Sequence, residues 1–335
     1  MNIDIFKAKH GAKFITITND AGLEVVLSTF GASIYNIKLD MEPMIITPRY
    51  FDKFYHSGKY YGKTIGRIAG RLKNGVYKVG DKEYHVEQNE GSNCLHGGKS
   101  GISEKNWLLQ VKRFKEGIAV IFHLTTKKGE GGFNGKVEYR VTYNVAKDEN
   151  NINVVYYAKC NEDTCFNLTN HTYWNLCNQK DILQHRLQIK SSNVSTFDEE
   201  DFTINGTMDV TNTVFDFRDA KLIKKDIKDP ALHTLKWLNG YDHRFMFDPV
   251  DDNESQVILD CGNYKLNIYT DFNAVHVYTS GHTSKDELIN EDFDDVFRGI
   301  ALECSNFYIE EVKARIPYSH FVKYKFRRKS DEKQS

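Results

Sequence analysis

The sequence of 335 residues has no excess of charge, with Lys plus Arg at 45 and Asp plus Glu at 46. A protein that grips nucleic acid non-specifically needs surplus cations to displace phosphate counterions, so no nucleic-acid partner is expected. No stretch approaches the roughly 18–20 apolar residues of a spanning helix, so no membrane partner is expected either. The opening residues, Met1-Asn2-Ile3-Asp4-Ile5-Phe6-Lys7, lack a basic segment followed by an apolar one. That gives no sign of a secretory leader and leads to the expectation of a cytoplasmic chain. No Cys-x-x-Cys pair occurs among Cys94, Cys160, Cys165, Cys177, Cys261 and Cys304. A structural zinc site or a dithiol redox pair is therefore disfavoured, and reduced, mostly buried thiols are expected. There is no His-x-His pair, no His-Glu-x-x-His helix and no Gly-x-Ser-x-Gly elbow, so no metal ligand set and no serine-hydrolase nucleophile is expected. The glycine-rich segment Gly129–Lys136 fails the phosphate-loop spacing and reads as a turn between strands.

The chain does have aromatics, 19 Tyr, 21 Phe and 3 Trp, and a dominant period of two. Phe14–Thr18, Val137–Val145, Leu266–Thr270 and Val275–Thr279 each alternate apolar and polar residues, the mark of half-buried strands. Val76–Val79 and Lys82–Val86 flank Gly80-Asp81 and read as a hairpin. Ile152–Cys160 reads as a central strand, and Gln184–Ile189 as another. Helical spacing is sparse, with Asp219–Ile227 as one short candidate. Five prolines and no low-complexity linker give no place to divide the chain. The expectation is all-β: one large antiparallel β-sandwich with few short helices over residues 1–327, and a flexible tail at 328–335.

Several segments carry chemistry-bearing residues. His96 lies in Gly91–Gly98, where the glycines permit close approach of a ligand or merely form a tight turn. Asn170 and His171 lie in Phe166–Leu176, a mixture of amides, hydroxyls and aromatics. Such a mixture suits a sugar, whose hydroxyls need donors and acceptors and whose C–H patches need aromatic faces; a polar strand end capped by its own side chains is the plainer reading. Asp242 and His243 follow Gly240-Tyr241, where a solvated aspartate in a turn is the default. Arg67 and Arg71 lie four apart between glycines, which reads most simply as a surface pair. Glu303 stands in the apolar run Gly299–Cys304, where a carboxylate either faces solvent or does chemistry.

Taken in order, these segments resemble the aldose 1-epimerases, also called mutarotases. The resemblance runs from about Gly62 to Glu303. It is carried by Gly66-Arg67 through Arg71, Asn93–Gly98 with Trp107, Asn167–Leu176, Gly240–His243, Tyr278-Thr279 and Leu302-Glu303. It implies a galactose-mutarotase-like sandwich with an open sugar cleft. The implied activity is interconversion of the α and β anomers of a free aldose, galactose or glucose by default. The resemblance implies Glu303 as general base and His171 as general acid. It places His96 near the ring oxygen, and Arg71 and Asp242 on sugar hydroxyls, with Asn170 and His276 as further substrate-binding candidates. It implies no cofactor and no metal; the partner is a small sugar, and the chain a monomer or homodimer.

The chemistry asks for these residue types. The C1 hydroxyl loses a proton while the ring oxygen gains one. The ring opens, C1–C2 rotates, and closure reverses the transfers, so one base and one acid suffice. At neutral pH Glu303 is expected as a ready carboxylate, and His171 as partly protonated under the influence of Asp242 or Glu303. Gly70 stands where many family members have Asn, and His276 where many have Gln. The loss of a side chain at Gly70 is expected to enlarge the cleft or shift specificity. Three other readings compete. A hexose-6-phosphate enzyme of the same fold would draw on Arg67, Arg71 and Lys73. A non-catalytic sugar-binding protein would not need the Glu303–His171 pair. A glycoside hydrolase would use Asp242 with Glu303.

Overall fold

The structure is a computed structural model that describes residues 1–198, 200, 202–233, 239–251, 253–281, 287–288 and 296–331. It is built mainly from three antiparallel sheets. A five-stranded sheet takes the first strands in sequence order, from Asn2–Lys7 to Glu42–Pro43. A nine-stranded sheet runs Leu108–Arg113, Gly117–Thr126, Val137–Ala146, Asn151–Cys160, Pro317–Arg328, Tyr264–Thr270, Val257–Asp260, Arg186–Ile189 and Lys221–Leu222. A seven-stranded sheet runs Ile204–Asp209, Asn193–Phe197, Asp242–Met246, Ala274–Tyr278, Ile300–Ser305, Tyr173–Trp174 and Ile45–Ile46.

The period of two explains the layering. In Val137–Ala146 the residues Val137, Tyr139, Val141, Tyr143 and Val145 are buried while their neighbours are not. These side chains share one apolar cluster with Val154 and Tyr156 of the next strand. The same cluster holds Phe245, Val275, Val277, Leu302 and Cys304 from the seven-stranded sheet. Two sheets thus bury their apolar faces against each other, the antiparallel sandwich that alternation predicts. The hairpin Val76–Val79 with Lys82–His85 forms as expected, and Gly80 takes the positive φ its turn requires. Ile152–Cys160 is central, paired on both sides.

Three expectations need correction. The segment Asp219–Ile227 is not a helix: Lys221–Leu222 pairs with Arg186 and Leu187, leaving only a single 3-10 turn at Ile223–Lys225. A ladder partner for those backbone groups outweighs a nine-residue helix, which is too short to sustain itself. The helix that does form, Phe51–His56, buries Phe54 and is too brief to show a period. Arg328 is not a tail residue but closes the strand Pro317–Arg328. Arg328 donates from Nη2 to Asp40 at 2.7 Å and to the Ala21 carbonyl at 2.8 Å; residues 332–335 of the expected tail lie outside the described residues. Finally, Cys177 and Cys261 are joined in a disulfide, while Cys94, Cys160, Cys165 and Cys304 are free and buried. Their Cα atoms lie 6.3 Å apart, within disulfide reach. Among the described residues no helix is long and apolar enough to cross a membrane.

Candidate active site

Three neighbouring strands of the seven-stranded sheet carry the site. Because side chains alternate, the residues between Phe245, Val275, Val277, Leu302 and Cys304 face away from the core. The register sets Arg244 opposite His276 and His276 opposite Glu303, with Asp242 opposite Tyr278. One row of the sheet therefore reads Arg244, His276, Glu303. Above it lies a cavity of about 240 Å³ lined also by Tyr60, Gly70, Arg71, Glu90, His96, His171 and Tyr173.

His171 is fixed by its backbone. Its N–H donates to the Lys63 carbonyl and its own carbonyl accepts from Gly62, both at 2.9 Å. Lys63 is itself fully buried, ion-paired to Glu104 at 2.9 Å and lying over the ring of Phe30. The His171 ring is surrounded by Tyr60, His96, Tyr173 and Tyr278. Its Nε2 reaches Oε1 of Glu303 at 3.3 Å. His96 enters from the loop after Cys94–Leu95. Its Nδ1 accepts the Gly70 N–H at 3.3 Å, so a neutral ring carries its hydrogen on Nε2. Asp242 accepts from His276 Nε2 at 2.6 Å. Arg71 grips Glu90 through Nε at 2.6 Å and Nη2 at 2.8 Å.

Burial sets the protonation. Glu303 is 3% exposed; desolvation, reinforced by the Asp242 charge, pushes its pKa up to about 8 against the pull of Arg244 and Arg71. Desolvation pushes His171 down to about 4, and His96 well below its ordinary range. Burial also raises Asp242, but the His276 hydrogen bond and the charges of His276 and Arg71 outweigh it, so Asp242 is held low. His276 is lowered, again chiefly by burial. This corrects the expected ionisation. At neutral pH the free pair rests as a protonated Glu303 beside a neutral His171, because neither charge is hydrated in this pocket.

The cleft thus unites Glu303, His171, His96, Arg71, Asp242 and His276. Asn170 is not among its lining residues: the side chain is buried, donates to the Gly62 carbonyl at 2.8 Å and accepts from Thr172. It holds the strand that holds His171. Arg67 is likewise no surface residue. It is 3% exposed and donates to the Tyr139 hydroxyl at 3.2 Å and the Asn134 carbonyl at 2.5 Å, so it is unavailable to a phosphate. Sequence reading missed Arg244, Glu90, Tyr60 and Tyr173 as cleft residues. Arg244 could have been found, since a strand residue two places from Asp242 shares its face; Glu90 and Tyr60 come from loops with no such signal.

Comparisons with known proteins show the family. The family described as aldose 1-epimerase matches residues 13–319. An aldose 1-epimerase of Haemophilus influenzae is 31% identical over 307 residues, 89% of this chain and 88% of that protein. A maltose epimerase of Levilactobacillus brevis is 24% identical over 324 residues, 93% of this chain and 94% of its own. The crystal structure of galactose 1-epimerase from Lactobacillus acidophilus superposes with a TM-score of 0.87 at 26% identity, covering 98% of each chain. The chain belongs to the aldose 1-epimerase family, isomerases that interconvert the α and β anomers of aldoses.

Proposed function

We propose that Glu303 and His171 exchange the two protons of anomer interconversion on a free hexose such as galactose or glucose. The observation that carries this reading is the buried contact of Glu303 with His171 on the open face of the sheet, 3.3 Å apart. The pair holds one proton at neutral pH. Passing it from Glu303 to His171 gives a carboxylate and an imidazolium with no exchange to water. Glu303 then takes the C1 hydroxyl proton while His171 protonates the ring oxygen, and C1 becomes an aldehyde. Rotation and the reverse transfers close the other anomer. His96, with Nε2–H turned to the cleft as a neutral donor, steadies the ring oxygen. Asp242 and Arg71 hold hydroxyls in place, and the aromatic surround of His171 keeps water out of the transfer.

The direct test is polarimetry on freshly dissolved α-D-galactose, then α-D-glucose, with and without protein. Acceleration is expected; a chain that speeds no free aldose would remove the reading. The pH profile follows from the pair. Below about 4 both groups are protonated and no acceptor is left; above about 8 both are deprotonated and no donor is left. A bell in kcat/KM with limbs near these values is expected, the limbs belonging to the pair rather than to either residue alone. A flat profile from pH 5 to 10 would contradict it.

The ligand atoms of His96, His171 and Glu303 lie within 4.8 Å of one another, close enough to receive a divalent cation. The reaction as written asks nothing of an ion. Prolonged dialysis against a chelator is expected to leave the rate unchanged. Loss of rate, regained on adding zinc, would give the trio a metal role instead.

A further inference from the structure

Arg244 brings unspent hydrogen-bonding capacity to the cleft. Its side chain is buried at 7% exposure. The guanidinium makes one hydrogen bond among the described residues, from Nη1 to the Phe307 carbonyl at 3.0 Å, and its Nε has no acceptor. Arg71, by contrast, is already clasped by Glu90 through two bonds. Asp242 is taken by His276. A buried guanidinium with so few acceptors is costly unless a ligand supplies more.

The place of the guanidinium is made by Gly70. A Cβ on Gly70 would stand 2.8 Å from Arg244 Nη2, so any side chain there would push the guanidinium away. The cleft is therefore not widened where the sequence led one to expect it. The space left by Gly70 is filled from below by Arg244, which rises from the same row of the sheet as His276 and Glu303. Arg244 also stands at a junction. The catalytic cavity and a second cavity of about 320 Å³, walled by Phe197, Phe202, Phe307 and Tyr308, share Gly70, Arg71, Arg244 and His276 among their lining residues.

We propose that Arg244, admitted by Gly70, binds substrate by donating from its guanidinium to the sugar hydroxyl that faces the second cavity, and so sets specificity. This rests on the aldose reading above. It assigns Arg244 no proton transfer: arginine stays charged throughout the working pH range. A charged donor to a neutral hydroxyl in a dry site is worth about 10–100-fold in affinity. The ordinary partners of a sugar are thus supplemented by one cation held by a missing side chain on the facing loop.

The test compares wild type, Arg244→Ala and Arg244→Lys on galactose and on its single deoxy analogues. Arg244→Ala is expected to raise KM about 10–100-fold while kcat changes by less than about 3-fold, with Arg244→Lys between the two. One deoxy analogue that wild type handles poorly should lose that penalty in Arg244→Ala, since the hydroxyl and its donor are then both absent. Gly70→Asn, an amide that tolerates positive φ, should raise KM in a similar way by displacing the guanidinium. Added to Arg244→Ala it should cost little more. If the KM of Arg244→Ala stays within 2-fold of wild type, or every deoxy penalty survives, the inference fails. If Arg244→Ala does not fold, the same comparison is made with Arg244→Lys and Gly70→Asn. Failure of wild type on all free aldoses would instead remove the underlying function.

Discussion

Glu303→Gln is expected to lower kcat by about 10²–10⁴-fold, the range of a positioned acid or base. The substitution isolates chemistry from folding unusually well here. Glu303 is buried and rests protonated at neutral pH, with its pKa raised to about 8 by desolvation. A neutral amide of the same shape replaces a neutral carboxylic acid, so the sheet meets no new charge and no new void. The melting temperature should match wild type below about pH 4.5, rise above it progressively from there to about pH 8, and hold that margin at higher pH. The sign is that of a carboxyl group with a raised native pKa. Its contribution to stability is full below the unfolded value near 4.5 and is lost as pH rises from there through about 8. KM should move far less than kcat, because the amide still accepts a hydrogen bond from a sugar hydroxyl. Whatever rate remains should no longer follow the bell, since its two limbs belong to the pair. A folded Glu303→Gln protein with more than a tenth of the wild-type rate would end the assignment of Glu303 as the base.

His171→Asn is expected to lose about as much rate, again 10²–10⁴-fold, through the ring-oxygen proton. Here too the bell should be lost as a whole, since its limbs belong to the pair and not to the imidazole that burial lowers. Because Glu303 and His171 pass one proton between them, their effects should not multiply. The double variant Glu303→Gln, His171→Asn is expected to fall close to the worse single, as groups that act as a unit do. Full multiplication of the two losses would show that they serve separate steps. The backbone anchors of His171 to Gly62 and Lys63 are main-chain bonds, so they survive the substitution. Loss of fold is therefore not the expected outcome, and a circular dichroism spectrum would report it.

The sandwich was legible because alternation is a local property, and strands such as Val137–Ala146 display it residue by residue. Glu303 was legible for the opposite reason, as a charge where the pattern calls for an apolar side chain. Glu90 and Tyr60 were not legible, since their place depends on how loops cross over a distant sheet. Asn170 misled because a polar residue beside His171 looks the same in sequence whether it faces a ligand or the backbone. The row that sets Arg244 beside His276 and Glu303 needed the register of three strands far apart in sequence, and register is a tertiary fact. The protonation of the pair was reversed for a related reason. Residue identity supplies the ordinary pKa, but only the assembled pocket shows how little water reaches it.

The last strand, Pro317–Arg328, lies in the middle of the nine-stranded sheet, between Asn151–Cys160 and Tyr264–Thr270. A ribosome makes the neighbours on both sides first. Until residue 328 has emerged, the half-built sheet displays two open edges with unpaired amides and carbonyls, the template on which chains aggregate. Completion of this sheet thereby waits on a segment made more than a hundred and fifty residues after the first of its two neighbours. A chain ended before Pro317 would leave both of those edges without the strand that joins them.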